Sequence, residues 1–152
     1  MTGREVKAVL LDALGTLVRL EPPAPRLRDQ LRRRAGVELD EETAARGFEA
    51  EISYYLAHHL DGGDPGRLED LRARCALEMT RAIGLEGRLD PSVARRAMLD
   101  SLEFTPFPDV PPALRELRAR GLRLVVASNW DCSLPRWLER AGLGALLDGA
   151  VS

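Results

Sequence analysis

The feature that most constrains this chain is the stretch Val9 to Leu17, which reads VLLDALGTL. A short apolar run ends in a carboxylate, Asp12, and is followed at once by Gly15-Thr16. An apolar run of this length bounded by turn residues reads as a buried strand. Packing alone does not require an acid at its C-terminal tip, and open α/β sheets bind their ligands at the tips of strands. Asp12 is therefore a candidate nucleophile.

The same grammar recurs near the other end. Leu122 to Ala127 is a second apolar run, interrupted only by Arg123, and it ends at Ser128-Asn129. A third strand is expected to begin at Gly149-Ala150-Val151. Pro111-Pro112 opens a helix carrying Leu114 and Leu117, with Gly121 past its end, ahead of the second strand. Between the second and third strands, Asp131 or Ser133 caps a helix carrying Leu134, Trp137, Leu138 and Ala141, which Gly142 closes. Strand and helix in alternation predict a parallel sheet.

The interval between these parts differs in kind. Ala44, Phe48, Ile52, Tyr55 and His59 recur at helical spacing, as do Leu68, Leu71, Cys75 and Met79. Asp90-Pro91 supplies a cap and first turn for a helix bearing Val93, Ala94, Ala97 and Met98. Prolines at 22, 23 and 25 mark the entry and prolines at 106, 108, 111 and 112 the return. The expected organisation is a core made of residues 1–20 and 104–152 and an all-helical insert of about four helices over 21–103.

Taken in order, Asp12 to Leu17, a helical insert, Phe107-Pro108-Asp109-Val110 leading into the second strand, and Ser128-Asn129 at that strand's end resemble the haloacid dehalogenase-like (HAD) hydrolase superfamily. The resemblance covers the whole chain. It implies an α/β, Rossmann-like core with a parallel sheet, incomplete here, and an inserted helical cap. It also implies that Asp12 attacks an electrophilic phosphorus or carbon to give an aspartyl intermediate that water hydrolyses. Ser128 and Asn129 would orient substrate or anion, while Gly15 and Thr16 would shape the turn above the site. Mg2+ is a possible cofactor, held by the Asp12 carboxylate and the backbone carbonyl of Leu14, and none is expected if the chemistry is that of a dehalogenase.

One departure from the family pattern bears on the chemistry. The usual DxDGT motif carries a second acid where this chain has Leu14. In phosphatases of the superfamily that acid protonates the leaving oxygen and then activates water, and loss of such assistance costs about 10²–10⁴ in rate. A leaving group that needs no proton suffers least. The expected substrates are accordingly small phosphorylated or otherwise activated molecules, with a 2-haloacid dehalogenase-like enzyme and a non-catalytic binding protein on the same scaffold as alternatives. For a dehalogenase, Arg26, Arg28 and Arg32 are candidates to bind halide or carboxylate. Schiff-base chemistry of the phosphonate-cleaving relatives is excluded, because the insert has no lysine.

The family's later motifs, a basic residue and an acidic pair, have no counterpart before Ser152. The chain is thus expected to be inactive alone and to leave the first strand with an unpaired apolar edge, a route to self-association.

Other features have plainer readings. Asp131 is expected to be a cap rather than a substitute acid. Of His58-His59, adjacent on a helix, one should face the core and the other solvent. Trp137 belongs to an apolar face, whereas Trp130 is open to either packing or substrate. Arg32-Arg33-Arg34 reads as a solvated helix face, and the net charge of −2 gives no footprint for nucleic acid. Cys75 and Cys132 lie far apart without metal-ligand spacing and read as core or incidental thiols. With no apolar run of membrane-spanning length and no leader pattern, a cytoplasmic protein is expected, acting on a small molecule without membrane or nucleic-acid partners.

Overall fold

The computed structural model describes residues 6–152. The first strand, β1 (Ala8–Leu11), ends at the residue before Asp12. It is followed by β2 (Val18–Leu20), α1 (Pro23–Ala35), α2 (Glu41–His58), α3 (Pro65–Ala82) and α4 (Pro91–Ser101). The chain continues through β3 (Phe104–Pro106), α5 (Val110–Ala119), β4 (Arg123–Ala127), α6 (Leu134–Arg140) and β5 (Gly149–Val151). It divides into two compact units, Met1–Leu20 with Phe104–Ser152, and Glu21–Glu103.

In the first unit β1, β4 and β5 form a parallel sheet in the order β1-β4-β5. Leu10 pairs in register with Val125, and Leu11 with Val126. Alternation then puts Leu124 and Val126, both fully buried, on one face with the half-buried Val9 and Leu11. The opposite face holds Ala8, Leu10, Arg123, Val125, Ala127 and Val151; Leu10 is 73% exposed and Val151 59%. α5 packs on β4 through a stripe that buries Val110 and Leu114, and α6 buries Leu134, Trp137 and Leu138. Asp148 ties β4 to the approach of β5: its carboxylate accepts the Leu124 amide at 2.7 Å, which holds this group below the usual carboxylate range.

A two-stranded antiparallel ribbon, β2 with β3, was not foreseen from the sequence. Each strand has three residues, too few to show a period of two, and the pairing of Val18 with Pro106 is visible only once the chain has folded back.

The second unit consists of four helices. α2, α3 and α4 start at Asp40, Asp64 and Asp90, whose carboxylates accept the amides of Thr43, Arg67, and Ser92 with Val93. Its core includes Leu27, Leu31, Phe48, Leu71, Met79 and Met98. α2 departs from the predicted stripe: it buries Ala44, Gly47, Phe48 and Glu51, while Ile52 and Tyr55 are half-buried and His59 lies in a short 3-10 turn (His59–Gly62). No helix of the described residues is long and apolar enough to cross a membrane.

Candidate active site

The site is built where two neighbouring parallel strands end. Because Leu11 and Val126 are register partners, Asp12 and the residues after Ala127 emerge side by side. Ser128 Oγ donates to Asp12 Oδ1 at 2.7 Å, and Thr16 Oγ1 reaches Asp12 Oδ2 at 3.5 Å. Asp12 is exposed to solvent, as an attacking group must be, although it directly follows a strand of the sheet.

The turn after Asp12 has a specific architecture. The carbonyl of Ala13 accepts the amides of Thr16, Leu17 and Val18 at 3.2, 2.8 and 3.0 Å, and the Gly15 amide donates to Val18 O at 2.8 Å. Gly15 has φ +80°, and a Cβ there would touch nothing within 4 Å. The glycine is therefore required by backbone conformation rather than by crowding. Leu14 lies in this turn with its side chain 49% exposed and offers no ionisable group.

The second loop is held from behind. The Ser128 amide donates to Val151 O at 3.2 Å. Trp130, only 8% exposed, packs edge-to-face on Phe104 with ring centroids 4.9 Å apart, and Phe104 meets Trp137 in the same way. Trp130 is thus a packing residue. Asn129 between them is exposed.

Asp131 corrects an expectation. It does not cap α6, whose cap position is Ser133. Instead its buried carboxylate accepts the Ser133 amide at 2.7 Å and the Ser133 hydroxyl, closing a side-chain turn before the helix. Those bonds engage Oδ1 of the carboxyl group in local structure rather than as a replacement for the missing acid.

Elsewhere the sequence-level candidates separate. Arg26 pairs with Glu103, Arg28 donates to Leu39 O at 2.8 Å, and Arg32 pairs with Asp29 at 3.0 Å, all within the helical unit. His58 and His59 are both half-buried rather than split between core and solvent: His58 stacks on Tyr54 and lies 3.5 Å from Asp61, and His59 Nδ1 lies 3.1 Å from Leu56 O. Cys75 is buried and Cys132 half-buried, and neither is in a disulfide.

Asp12 and the Leu14 carbonyl are the donors this turn offers, and among the described residues no group of three or more His, Cys, Asp or Glu side chains gathers to hold an ion. The described residues do not by themselves make a complete Mg2+ site.

A family model described as haloacid dehalogenase-like hydrolase matches residues 6–152. No curated protein matches. Among solved structures, the L-2-haloacid dehalogenase of Xanthobacter autotrophicus with chloropropionic acid covalently bound superposes with a TM-score of 0.60 at 24% identity, covering 97% of this chain and 57% of that one. A defluorinating L-2-haloacid dehalogenase gives 0.66 at 23% identity, with 99% and 62% covered. A predicted phosphoglycolate phosphatase from Haemophilus somnus gives 0.50 at 17% identity, with 96% and 62% covered. At these identities the likeness is one of fold, and the chain spans 57–62% of the length of these three structures.

Proposed function

The chain belongs to the haloacid dehalogenase-like hydrolase family, and on that premise we propose that Asp12 is a nucleophile that displaces a leaving group needing no proton. The observation that carries this reading is the pairing of Asp12 with Ser128 at adjacent strand tips, 2.7 Å apart, beside a Leu14 that has no proton to give.

In the first step an Asp12 carboxylate oxygen forms a bond to an electrophilic carbon or phosphorus, and the leaving group departs as an anion with the bonding pair. Water then adds to the aspartyl intermediate and releases product, regenerating the carboxylate. Ser128 keeps the carboxylate oriented by donating to Oδ1; Oδ2, met only at 3.5 Å by the Thr16 hydroxyl, is the oxygen that attacks, and the exposed Asn129 and Thr16 meet an anionic substrate. Without an acid at position 14, an alkoxide would leave slowly, since general acid assistance contributes about 10²–10⁴. Halides and acyl phosphates leave readily without it.

Of these, displacement of halide from a short 2-haloacid is the narrower reading. It is supported by Leu14, by Ser128-Asn129, and by the names of the structures the fold resembles. Mg2+ belongs to the phosphoryl branch of the proposal and not to this one. The substrate is a small molecule, and the proposal covers the family activity of the whole protein rather than a rate for these 152 residues.

The test is a release assay on 2-chloropropionate and on acetyl phosphate, each with Mg2+ and with EDTA, for the natural gene product and its Asp12→Asn variant. Halide release that survives EDTA and vanishes in Asp12→Asn supports the narrow reading. Phosphate release that requires Mg2+ and Asp12 supports the acyl phosphate branch. Turnover unaffected by Asp12→Asn contradicts both.

A further inference from the structure

The helical unit buries an acid that its packing does not explain. Glu51 lies in the second half of α2, is 5% exposed, and shares its face with Ala44, Gly47 and Phe48. Opposite stands Cys75 of α3, itself 1% exposed, whose thiol hydrogen-bonds the Glu51 carboxyl group. The two helices close tightly one turn away. A Cβ on Gly47 would lie 2.6 Å from Ile83 Cγ2 and 3.4 Å from Met79 Cγ, so the seam has no room for water at that level.

Among the described residues Cys75 is the one titratable group acting on Glu51 besides burial. The charged neighbours on the packed elements are engaged elsewhere: on α3, Arg72 pairs with Glu69 at 3.5 Å and Arg74 with Asp61 of the 3-10 turn at 3.7 Å. On α2 itself Arg46 pairs with Glu42 at 3.5 Å, and α1 buries Leu27 and Leu31 while Arg28 donates to Leu39 O. A carboxylate without a counter-ion in such a place is costly, whereas a neutral carboxyl is not.

We propose that Glu51 is a proton-dependent latch on the α2–α3 seam: the neutral carboxyl lets the helices close, and loss of its proton to solvent opens the seam until the carboxylate reaches water. Burial pushes this group up to about 7, against which the Cys75 thiol pulls weakly downward, so the latch works near neutral pH. The helical unit would then loosen on mild alkalinisation without any ligand.

Amide hydrogen exchange on the 152-residue chain, corrected for intrinsic rates, tests this between pH 5.5 and 8.5. Protection of amides in residues 47–55 and 71–79 is expected to fall at least ten-fold across that range in the wild type and to stay flat in Glu51→Gln. Cys75→Ala, which removes the bond that favours the carboxylate, is expected to move the midpoint of the loss to higher pH. Should Glu51→Gln not fold, Glu51→Leu takes its place as the non-titrating reference. A wild-type seam equally protected at both pH values overturns the proposal, as does the same loss in the non-titrating variant.

Discussion

The two units of this chain solve burial differently. In the helical unit, Asp40, Asp64 and Asp90 each cap a helix with a carboxylate, and the apolar stripes close on one another around Leu71, Met79 and Met98. In the sheet unit, one face of three parallel strands buries Leu124 and Val126 completely while the other leaves Leu10 73% and Val151 59% exposed. Among the described residues β1 pairs only with β4, so an edge stays open too. Parallel sheets are ordinarily covered on both faces. The contrast teaches that the proposed catalytic geometry needs only two strand tips and a glycine turn, whereas the stability of the sheet around it depends on more.

That contrast is sharpened first by core truncation. Leu71→Ala and Leu124→Ala, both at positions with no solvent exposure, should each cost about 2–5 kcal/mol in chemical denaturation. If the sheet unit is the weaker one, Leu124→Ala should abolish its transition while the helical unit still unfolds in a separate, later step. Coincident transitions for both variants would remove the distinction between the units.

Glu51 supplies the next largest effect, and its sign is opposite to that of a capping acid. Its folded pKa of about 7 lies above its ordinary value of 4.5, so the unfolded chain loses the proton first. The contribution of Glu51 to stability is therefore greatest below pH 4.5, falls as pH rises toward 7, and changes no further above it, by about 3 kcal/mol in total. Glu51→Gln should flatten this slope in thermal scans. Asp90 behaves in reverse: its carboxylate, held below the usual range by the Ser92 hydroxyl and the Val93 and Ser92 amides, stabilises above its unfolded pKa near 3.8, and that contribution is lost as pH falls through the folded value. Asp90→Ala should remove it, lowering the melting midpoint at neutral pH and leaving it unchanged in strong acid.

The smallest effect on folding is expected at the open sheet face. Leu10→Lys puts a charge where the side chain already meets water, so monomer stability should change by less than about 0.5 kcal/mol. Self-association, which an apolar face and a free strand edge favour, should weaken in sedimentation velocity. An unchanged association constant would locate any self-contact elsewhere.

How much of this was legible in the sequence follows from the range of each interaction. Asp12, Gly15 and Thr16 were readable because a strand tip and its turn are local, and a positive φ at Gly15 is announced by the residue itself. Ser128 was readable by the same strand-end logic, although its bond to a residue 116 positions away was not. The β2–β3 ribbon escaped because Val18-Arg19-Leu20 and Phe104-Thr105-Pro106 carry no periodicity and meet across the whole helical insert. Glu51 escaped because a glutamate in a helix reads as a solvent-facing residue. Its one sequence signal is the small pair Ala44 and Gly47 on the same face, which marks where another helix comes close.

The central claim is that Asp12 forms a covalent intermediate hydrolysed by water. It is tested most directly by a single turnover of the natural gene product on 2-chloropropionate and on acetyl phosphate in H₂¹⁸O, followed by mass analysis of the peptide that contains Asp12. An attack of water on the aspartyl carbonyl would leave one ¹⁸O in that carboxylate, while hydrolysis at phosphorus would leave none but would give a trappable aspartyl phosphate at the same residue. Turnover of either substrate with neither label nor adduct on Asp12 would contradict the account.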